Sequence, residues 1–153
     1  MSPILSLSCC LINILTNPGN YWFNLLYVES LIRTNRIDDA YKVLENMNNL
    51  LQNLTDRQKE WYTPYQSYEI ALLYFRQKQY RKSLENVAKT INNYSGELDV
   101  ILGNAYLLQG MLNDKLGKRN DAIESYKSCI ELDNFSIAMQ KAKKYVKRSY
   151  SEI

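Results

Sequence analysis

An internal repeat constrains the fold of this chain more than any other feature of its sequence. Three segments align with one another: NRIDDAYKVLENM (35–47), KQYRKSLENVAKT (78–90) and GKRNDAIESYKSC (117–129). In each, a small residue precedes a larger apolar residue by four positions, as in the pairs Ala40 and Leu44, Ser83 and Val87, Ala122 and Tyr126. The residues before each segment also have helical periodicity. The sequence therefore predicts a helix, a tight turn and a second helix, repeated three times.

The composition agrees with an all-α fold. Only 5 Gly and 3 Pro occur in 153 residues, which leaves few places to interrupt a helix. Hydrophobic residues make up 46% of the chain, enough to form a buried core.

The repeated residues resemble the tetratricopeptide repeat, a unit of about 34 residues. In the last repeat, Gly110 and Ala122 match the family's small positions, Gly117 its turn position and Tyr126 an aromatic position. The resemblance implies an all-α solenoid of helical hairpins, coiled into a right-handed superhelix. About three helix pairs are expected, with an N-terminal half repeat and a C-terminal capping helix.

The predicted organisation is a single helical repeat domain over residues 1–153. It comprises a half repeat (4–16), three repeats (21–54, 56–94 and 98–133) and an amphipathic capping helix (136–150). The small residues are 43 and 39 positions apart, more than the family's period, so longer helices or linkers are expected between repeats. Thr55 or Asp56 is a candidate helix N-cap, and Ser95-Gly96 a break. Because Pro18 falls where the family ends a repeat, the chain is expected to begin inside one, as part of a longer array or a truncated gene product.

Residues 61–110 resemble a narrower family, the fungal inclusion-body-clearance proteins and their animal tetratricopeptide relatives, at one time described as mitochondrial outer-membrane proteins. The resemblance is carried by two groups of residues: Pro64, Tyr68, Glu69, Ala71, Leu73 and Tyr74, then Asn92, Asn93, Tyr94 and Leu98. It implies a non-enzymatic protein of the cytoplasm, with the nucleus, the mitochondrial outer membrane or the lipid-droplet surface as alternatives. It also implies a link to inclusion-body clearance. Members of that family are several-fold longer than this chain.

The sequence contains little that favours catalysis. It has no histidine, no CxxC motif and no Gly-rich phosphate loop, so no catalytic residue, metal site or cofactor is expected. Cys129 is expected to be a buried core residue, and Cys9 with Cys10 suggests a reducing compartment. The net charge of +3 is too small to indicate a nucleic-acid partner. An enzyme of unrecognised type remains an alternative hypothesis for the function, which convergent carboxylates in a polar pocket would favour.

The expected site is a concave groove that binds a protein. In the tetratricopeptide family the first helix of each repeat lines this surface, and the matching residues here are Trp22, Leu25, Ile32, Arg33, Tyr65, Tyr68, Leu72, Phe75, Arg76, Leu107, Met111 and Lys115. Apolar residues with a basic residue in every repeat suit an amphipathic or acidic-hydrophobic helical segment. The upstream part of the family's own architecture is the other candidate partner. Alternatively, these aromatic residues pack against the protein's own helices. Leu25 and Glu29 replace the Lys and Asn with which related domains grip chaperone tails, so that partner is disfavoured.

A second function is an adaptor on a membrane or lipid-droplet surface. The apolar stretch 4–15 is too short to span a bilayer, so any membrane association is expected to be peripheral. Five basic residues cluster near the C-terminus: Lys141, Lys143, Lys144, Lys147 and Arg148. They form either a solvated helix face or a contact with an acidic partner or anionic membrane.

Overall fold

The computed structural model describes residues 19–94 and 99–151. Within these ranges the chain folds into helices joined by turns, with no strand, which confirms the all-α prediction. The helices are α1 (Tyr21–Arg33), α2 (Ile37–Gln52), α3 (Asp56–Arg76), α4 (Tyr80–Asn92), α5 (Asp99–Lys115), α6 (Arg119–Glu131) and α7 (Ile137–Lys147). The half repeat expected over 4–16, Pro18, Cys9, Cys10 and the break at Ser95-Gly96 lie outside the described residues.

The chain divides into two compact units, residues 1–59 and 60–153. The described part of the first unit contains α1, α2 and the first residues of α3. The second unit contains the rest of α3 and helices α4 to α7. Within the second unit, α5 packs against α4, α6 and α7.

The same turn joins the two helices of each predicted repeat. Its middle residue has positive φ in all three cases, at Asn35 (60°), Lys78 (59°) and Gly117 (75°). The N–H of this middle residue donates to the carbonyl oxygen three residues earlier. The N–H of the next residue donates to the carbonyl oxygen five residues before it. These two bonds define a Schellman motif, which satisfies carbonyls at the end of the first helix. The three turns are separated by the same 43 and 39 residues as the small residues are.

The aligned positions of the three second helices are buried. The small position, the residue four later and the residue seven later are each at most 5% exposed; these are Ala40, Leu44, Met47, Ser83, Val87, Thr90, Ala122, Tyr126 and Cys129. Ser83 fits a position that holds alanine in the other hairpins because its Oγ donates to the Ala71 carbonyl at 2.7 Å. A Cβ at Gly110 would overlap the Tyr126 ring, so only glycine lets this tyrosine pack there.

Side chains of polar residues fix the starts of several helices. Thr55 Oγ1 accepts the Gln58 N–H at 3.3 Å, and Gln58 Oε1 accepts the Thr55 N–H at 3.0 Å. This reciprocal capping box confirms Thr55 as the N-cap of α3. It also lets α3 begin well before Pro64, whose missing N–H removes one backbone hydrogen bond within the helix. The longer spacing between the first two repeats is therefore used to lengthen a helix.

Candidate functional site

In the first unit, the predicted groove residues of α1 have two kinds of environment. Leu25 and Ile32 are 4% and 2% exposed and belong to the core, whereas Trp22 is 36% exposed. Arg33 is exposed at the end of α1, and its Nη2 lies 2.6 Å from Oε1 of Glu29, one turn earlier on the same helix. This pair satisfies Arg33 within its own helix.

In the second unit, the predicted residues of α3 lie along one stripe. Phe75 is buried and belongs to a core cluster. Tyr68 and Leu72 are partly buried and pack against that cluster. Tyr65 is also partly buried, with its ring centroid 5.3 Å from that of Trp61, and burial raises the pKa of its hydroxyl. Arg76 is exposed at the end of the stripe.

The predicted residues of α5 divide between two core clusters. Leu107 is 8% exposed and packs with α6 and α7, in the cluster that contains Ala122, Tyr126 and Cys129. Met111 is partly buried and packs against both clusters. Lys115 is partly buried one turn beyond Met111. We call the partly exposed residues Tyr68, Leu72, Met111 and Lys115 the α3–α5 face.

The C-terminal tail contacts this face. Helix α7 ends at Lys147, and Arg148 has extended backbone angles (φ −145°, ψ 127°), so the capping helix is shorter than the predicted 136–150. Tyr150 packs against the cluster that Tyr68, Leu72 and Met111 also cover. Its ring centroid lies 6.2 Å from that of Phe75 and 5.3 Å from that of Tyr145. The Lys115 ammonium nitrogen lies 5.4 Å from the Tyr150 ring centroid, within range of a cation–π interaction.

A buried carboxylate holds this tail in place. The Asp114 side chain is 1% exposed, and its Oδ2 accepts the Tyr150 N–H at 2.8 Å and the Tyr126 hydroxyl at 2.8 Å. Arg119 Nη1 donates to Asp114 Oδ1 at 3.0 Å. Burial, and next the hydrogen bond to Asp114, raise the pKa of Tyr126. The hydroxyl therefore stays protonated and continues to donate.

Arg119 also closes the end of α7. Its Nη2 donates to the carbonyl oxygens of Tyr145 at 2.7 Å and Val146 at 2.8 Å. These carbonyls belong to the last turn of α7, where helices have carbonyls without intrahelical partners and a partial negative charge. The Arg119 guanidinium therefore has two roles, because it neutralises the buried Asp114 carboxylate and caps the C-terminus of α7.

Two features bear on catalysis. Cys129 is fully buried, its Sγ donates to the Gly103 carbonyl at 3.2 Å, and burial raises the pKa of the thiol to about 11. Such a thiol is protonated at neutral pH and is a poor nucleophile. A shallow polar groove of about 430 Å³ lies across α4, α5 and α6, with Asn113, Lys118, Asp121 and Glu124 among its lining residues.

The described residues contain neither a cluster of metal ligands nor a membrane-spanning helix. Within residues 19–94 and 99–151, no three His, Cys, Asp or Glu side chains come close enough together to hold a metal ion. No helix among the described residues is both long and apolar enough to cross a bilayer.

Asp114 is not among the site residues that the sequence predicts, and the sequence places Tyr150 at the end of a helix. A signal for Asp114 was present in the repeat alignment. The corresponding residues of the other two hairpins are Ile32 and Phe75, both buried. A carboxylate at a position that is otherwise apolar and buried requires hydrogen-bond donors nearby.

No family model matches the chain, and neither a curated protein nor a solved structure is significantly similar to it.

Proposed function

We propose that this protein is a non-enzymatic scaffold of the tetratricopeptide-like solenoid type, which binds a segment of a partner protein on the α3–α5 face. The repeat assignment is supported by three turns with the same hydrogen bonds and by nine buried residues at equivalent positions. The resemblance to the inclusion-body-clearance family extends the proposal to an adaptor in that process, acting in the cytoplasm or at an organelle surface.

One observation carries the binding proposal. Tyr68, Leu72 and Met111 are partly exposed apolar side chains on the first helices of successive hairpins, next to the cationic Lys115 and Arg76. Large, rigid aromatic side chains with a nearby cation are common anchors in protein interfaces. An amphipathic helix or an acidic-hydrophobic segment has the matching chemistry.

Affinity capture with matched variants tests this function. Tyr68→Ala/Met111→Ala removes two side chains of the α3–α5 face, and Tyr41→Ala, at a 38% exposed tyrosine on α2, is the control. We expect the wild type and the control to capture the same proteins in similar amounts. The double variant should capture less of them, by about tenfold or more. Circular dichroism checks that all three proteins fold. Equal capture by the double variant would show that the face is not the binding site.

A second candidate function is peripheral binding to an anionic membrane through α7. Its buried residues are Ala138, Met139 and Ala142, and its four lysines, with Arg148 directly after the helix, are all exposed. Phe135 and Ile137, at its start, are 80% and 71% exposed. No acidic residue occurs between Asp133 and Glu152. Basic residues beside exposed apolar side chains are typical of surfaces that bind anionic lipid.

Vesicle flotation tests this second candidate. Wild-type protein should float with anionic vesicles and not with neutral ones, and Lys141→Glu/Lys144→Glu should remove the binding because each lysine contributes about 1 kcal/mol near such a surface. Lys118→Glu/Lys127→Glu makes the same charge change at the N-cap of α6 and within α6, and serves as the control. Equal loss in the control, or binding that ignores lipid charge, would exclude α7 as the membrane contact.

A further inference from the structure

The environment of Tyr150 resembles a binding site that contains a ligand. Its ring lies against two other aromatic rings, at 6.2 Å from Phe75 and 5.3 Å from Tyr145, and near the Lys115 ammonium group. Its backbone N–H donates to the carboxylate of Asp114, which is itself fixed by Arg119 and by Tyr126. A ring between apolar and cationic neighbours, with one directed hydrogen bond to the backbone, is the set of contacts that anchors a peptide residue.

The tail reaches this position as an extended segment. Its backbone leaves the helical conformation at Arg148, and the exposed residues Arg148 and Ser149 separate the end of α7 from Tyr150. The contacts of Tyr150 described above involve its ring and its own N–H, and they do not depend on the covalent connection to α7. A segment of another protein with an aromatic residue can make each of them in its place.

We infer that the Tyr150 position is the anchor subsite of the α3–α5 face, and that the partner is an extended segment whose aromatic side chain takes the place of Tyr150. This inference rests on the proposed binding function. The side chain that enters is tyrosine or phenylalanine, because its neighbours are the rings of Phe75 and Tyr145. Acidic residues beside that aromatic residue are favoured, because the Lys115 ammonium nitrogen lies 5.4 Å from the centroid of the Tyr150 ring and the exposed Arg76 directly follows Phe75 in the chain.

The tail is then a competitor built into the chain. A covalently attached segment has a high effective concentration at its own site, of the order of millimolar for a short flexible link. The apparent affinity for a partner is the intrinsic affinity multiplied by the fraction of molecules whose subsite is free, so occupation of the subsite by the tail lowers it. Removing the Tyr150 ring should therefore raise the affinity for any segment that uses the subsite.

A peptide of this chain's own tail tests the inference without knowledge of the partner. The probe is a fluorescein-labelled peptide of residues 146–152, VKRSYSE, and the matched probe has alanine in place of its tyrosine. Binding is measured by fluorescence anisotropy up to millimolar protein. The proteins are the full-length chain, full-length Tyr150→Ala, and full-length Tyr150→Phe, which keeps a ring in the subsite.

We expect the tyrosine peptide to bind Tyr150→Ala about tenfold or more tightly than it binds the wild type or Tyr150→Phe. The alanine peptide should bind all three proteins weakly. Equal affinity of the two peptides for Tyr150→Ala, equal affinity of the tyrosine peptide for the three proteins, or no binding at all would overturn the inference. Thermal melts of all three proteins check that Tyr150→Ala remains folded.

The two proposals can fail separately. If the tyrosine peptide binds as expected but no protein is captured through Tyr68 and Met111, the subsite stands and the proposed function fails. If a protein is captured through Tyr68 and Met111 and the peptide shows no preference for Tyr150→Ala, the function stands and the anchor subsite is wrong.

Discussion

The first and third hairpins have the same turn but different side chains on either side of it. The residues that flank the turn five positions apart are Ile32 and Ile37 in the first hairpin and Asp114 and Arg119 in the third. In the second hairpin they are Phe75 and Tyr80, whose ring centroids are 6.0 Å apart. One backbone motif therefore carries an aliphatic, an aromatic or a charged pair.

The difference shows how a repeat acquires a function that its neighbours lack. The first hairpin has Val28 and Leu44 at two positions where the third has Gly110 and Tyr126. Gly110 leaves the space that the Tyr126 ring fills, and the Tyr126 hydroxyl reaches Asp114. Asp114 in turn fixes the Tyr150 N–H and Arg119. The turn is thus common to both hairpins, while the anchor for the tail depends on four residues of the third.

Replacing the charged pair by the aliphatic pair should give the largest effect. Asp114→Ile removes the acceptor of three donors, Arg119 Nη1, the Tyr126 hydroxyl and the Tyr150 N–H, so we expect the free energy of unfolding to fall by about 3–5 kcal/mol in urea titrations. Asp114→Ile/Arg119→Ile, which has the residues of the first hairpin at these two positions, should recover part of that loss because no guanidinium is left beside an apolar side chain. It should not recover all of it, because the bonds from Arg119 to the last turn of α7 and the acceptor of the Tyr126 hydroxyl are still missing. A double variant no more stable than the single one would contradict the equivalence of the two pairs.

Exchanging the second pair of positions should have a smaller effect. Gly110→Val introduces a side chain where a Cβ already overlaps the Tyr126 ring, and we expect a loss of about 2–3 kcal/mol. Gly110→Val/Tyr126→Leu has the residues of the first hairpin and should be more stable than the sum of the two single changes predicts. Additive losses in this double-mutant cycle would show that the two positions do not share space.

Titration at the position of Cys129 should affect the third hairpin and not the other two, because Met47 and Thr90 occupy this position there. Burial raises the pKa of the Cys129 thiol from 9.0 to about 11, above its value in the unfolded chain. The stability that this thiol contributes is therefore fully present below pH 9 and lost as pH rises to 11. Relative to Cys129→Ala, the wild type should lose on the order of 2 kcal/mol over that interval. Parallel pH profiles of the two proteins would refute this.

Substitutions at the positive-φ residues of the turns should change stability in opposite directions, with Gly117→Ala destabilising and Lys78→Gly stabilising the fold. Gly117 has a φ of 75°, so Gly117→Ala should destabilise by about 1 kcal/mol. Lys78 has a φ of 59° with a side chain present, and Lys78→Gly should stabilise by a few tenths of a kcal/mol to about 1 kcal/mol. Thermal unfolding of both variants measures this. A destabilising Lys78→Gly would mean that the side chain, rather than the backbone, determines this turn.

The smallest effect is expected at the exposed ion pair of the first hairpin. Arg36 Nη2 lies 2.6 Å from Asp39 Oδ2, but the two side chains are 49% and 40% exposed. Asp39→Asn should therefore change stability by less than about 0.5 kcal/mol, and 1 M salt should remove the change. A loss comparable to that of Asp114→Ile would show that exposure does not distinguish the two carboxylates.

The sequence was sufficient to predict what depends on local periodicity. Helices fall within each of the three predicted repeats, Thr55 caps α3, and Ala40, Ser83 and Ala122 are buried at equivalent positions. These features follow from spacing along the chain, which the sequence records directly.

What the sequence did not predict depends on contacts between residues far apart in the chain. The predicted groove residues Leu25, Ile32, Phe75 and Leu107 are buried, because a position on the first helix can face the core as well as the surface. The bond from the Tyr150 N–H to Asp114 joins residues 36 apart. No local pattern indicates that the chain after Lys147 leaves the helix to make it.

Site-specific photo-crosslinking from the α3–α5 face tests whether a partner protein binds this face in competition with the protein's own tail. A benzoylphenylalanine placed at Tyr68 replaces one aromatic side chain by another against the core cluster that Tyr150 also covers, and the same group at Tyr41 is the control. We expect a protein to crosslink from position 68 and not from position 41, with a yield that rises in the Tyr150→Ala background. Equal crosslinking from both positions, or a yield at position 68 that is unchanged by Tyr150→Ala, would contradict a binding face that the protein's own tail occupies.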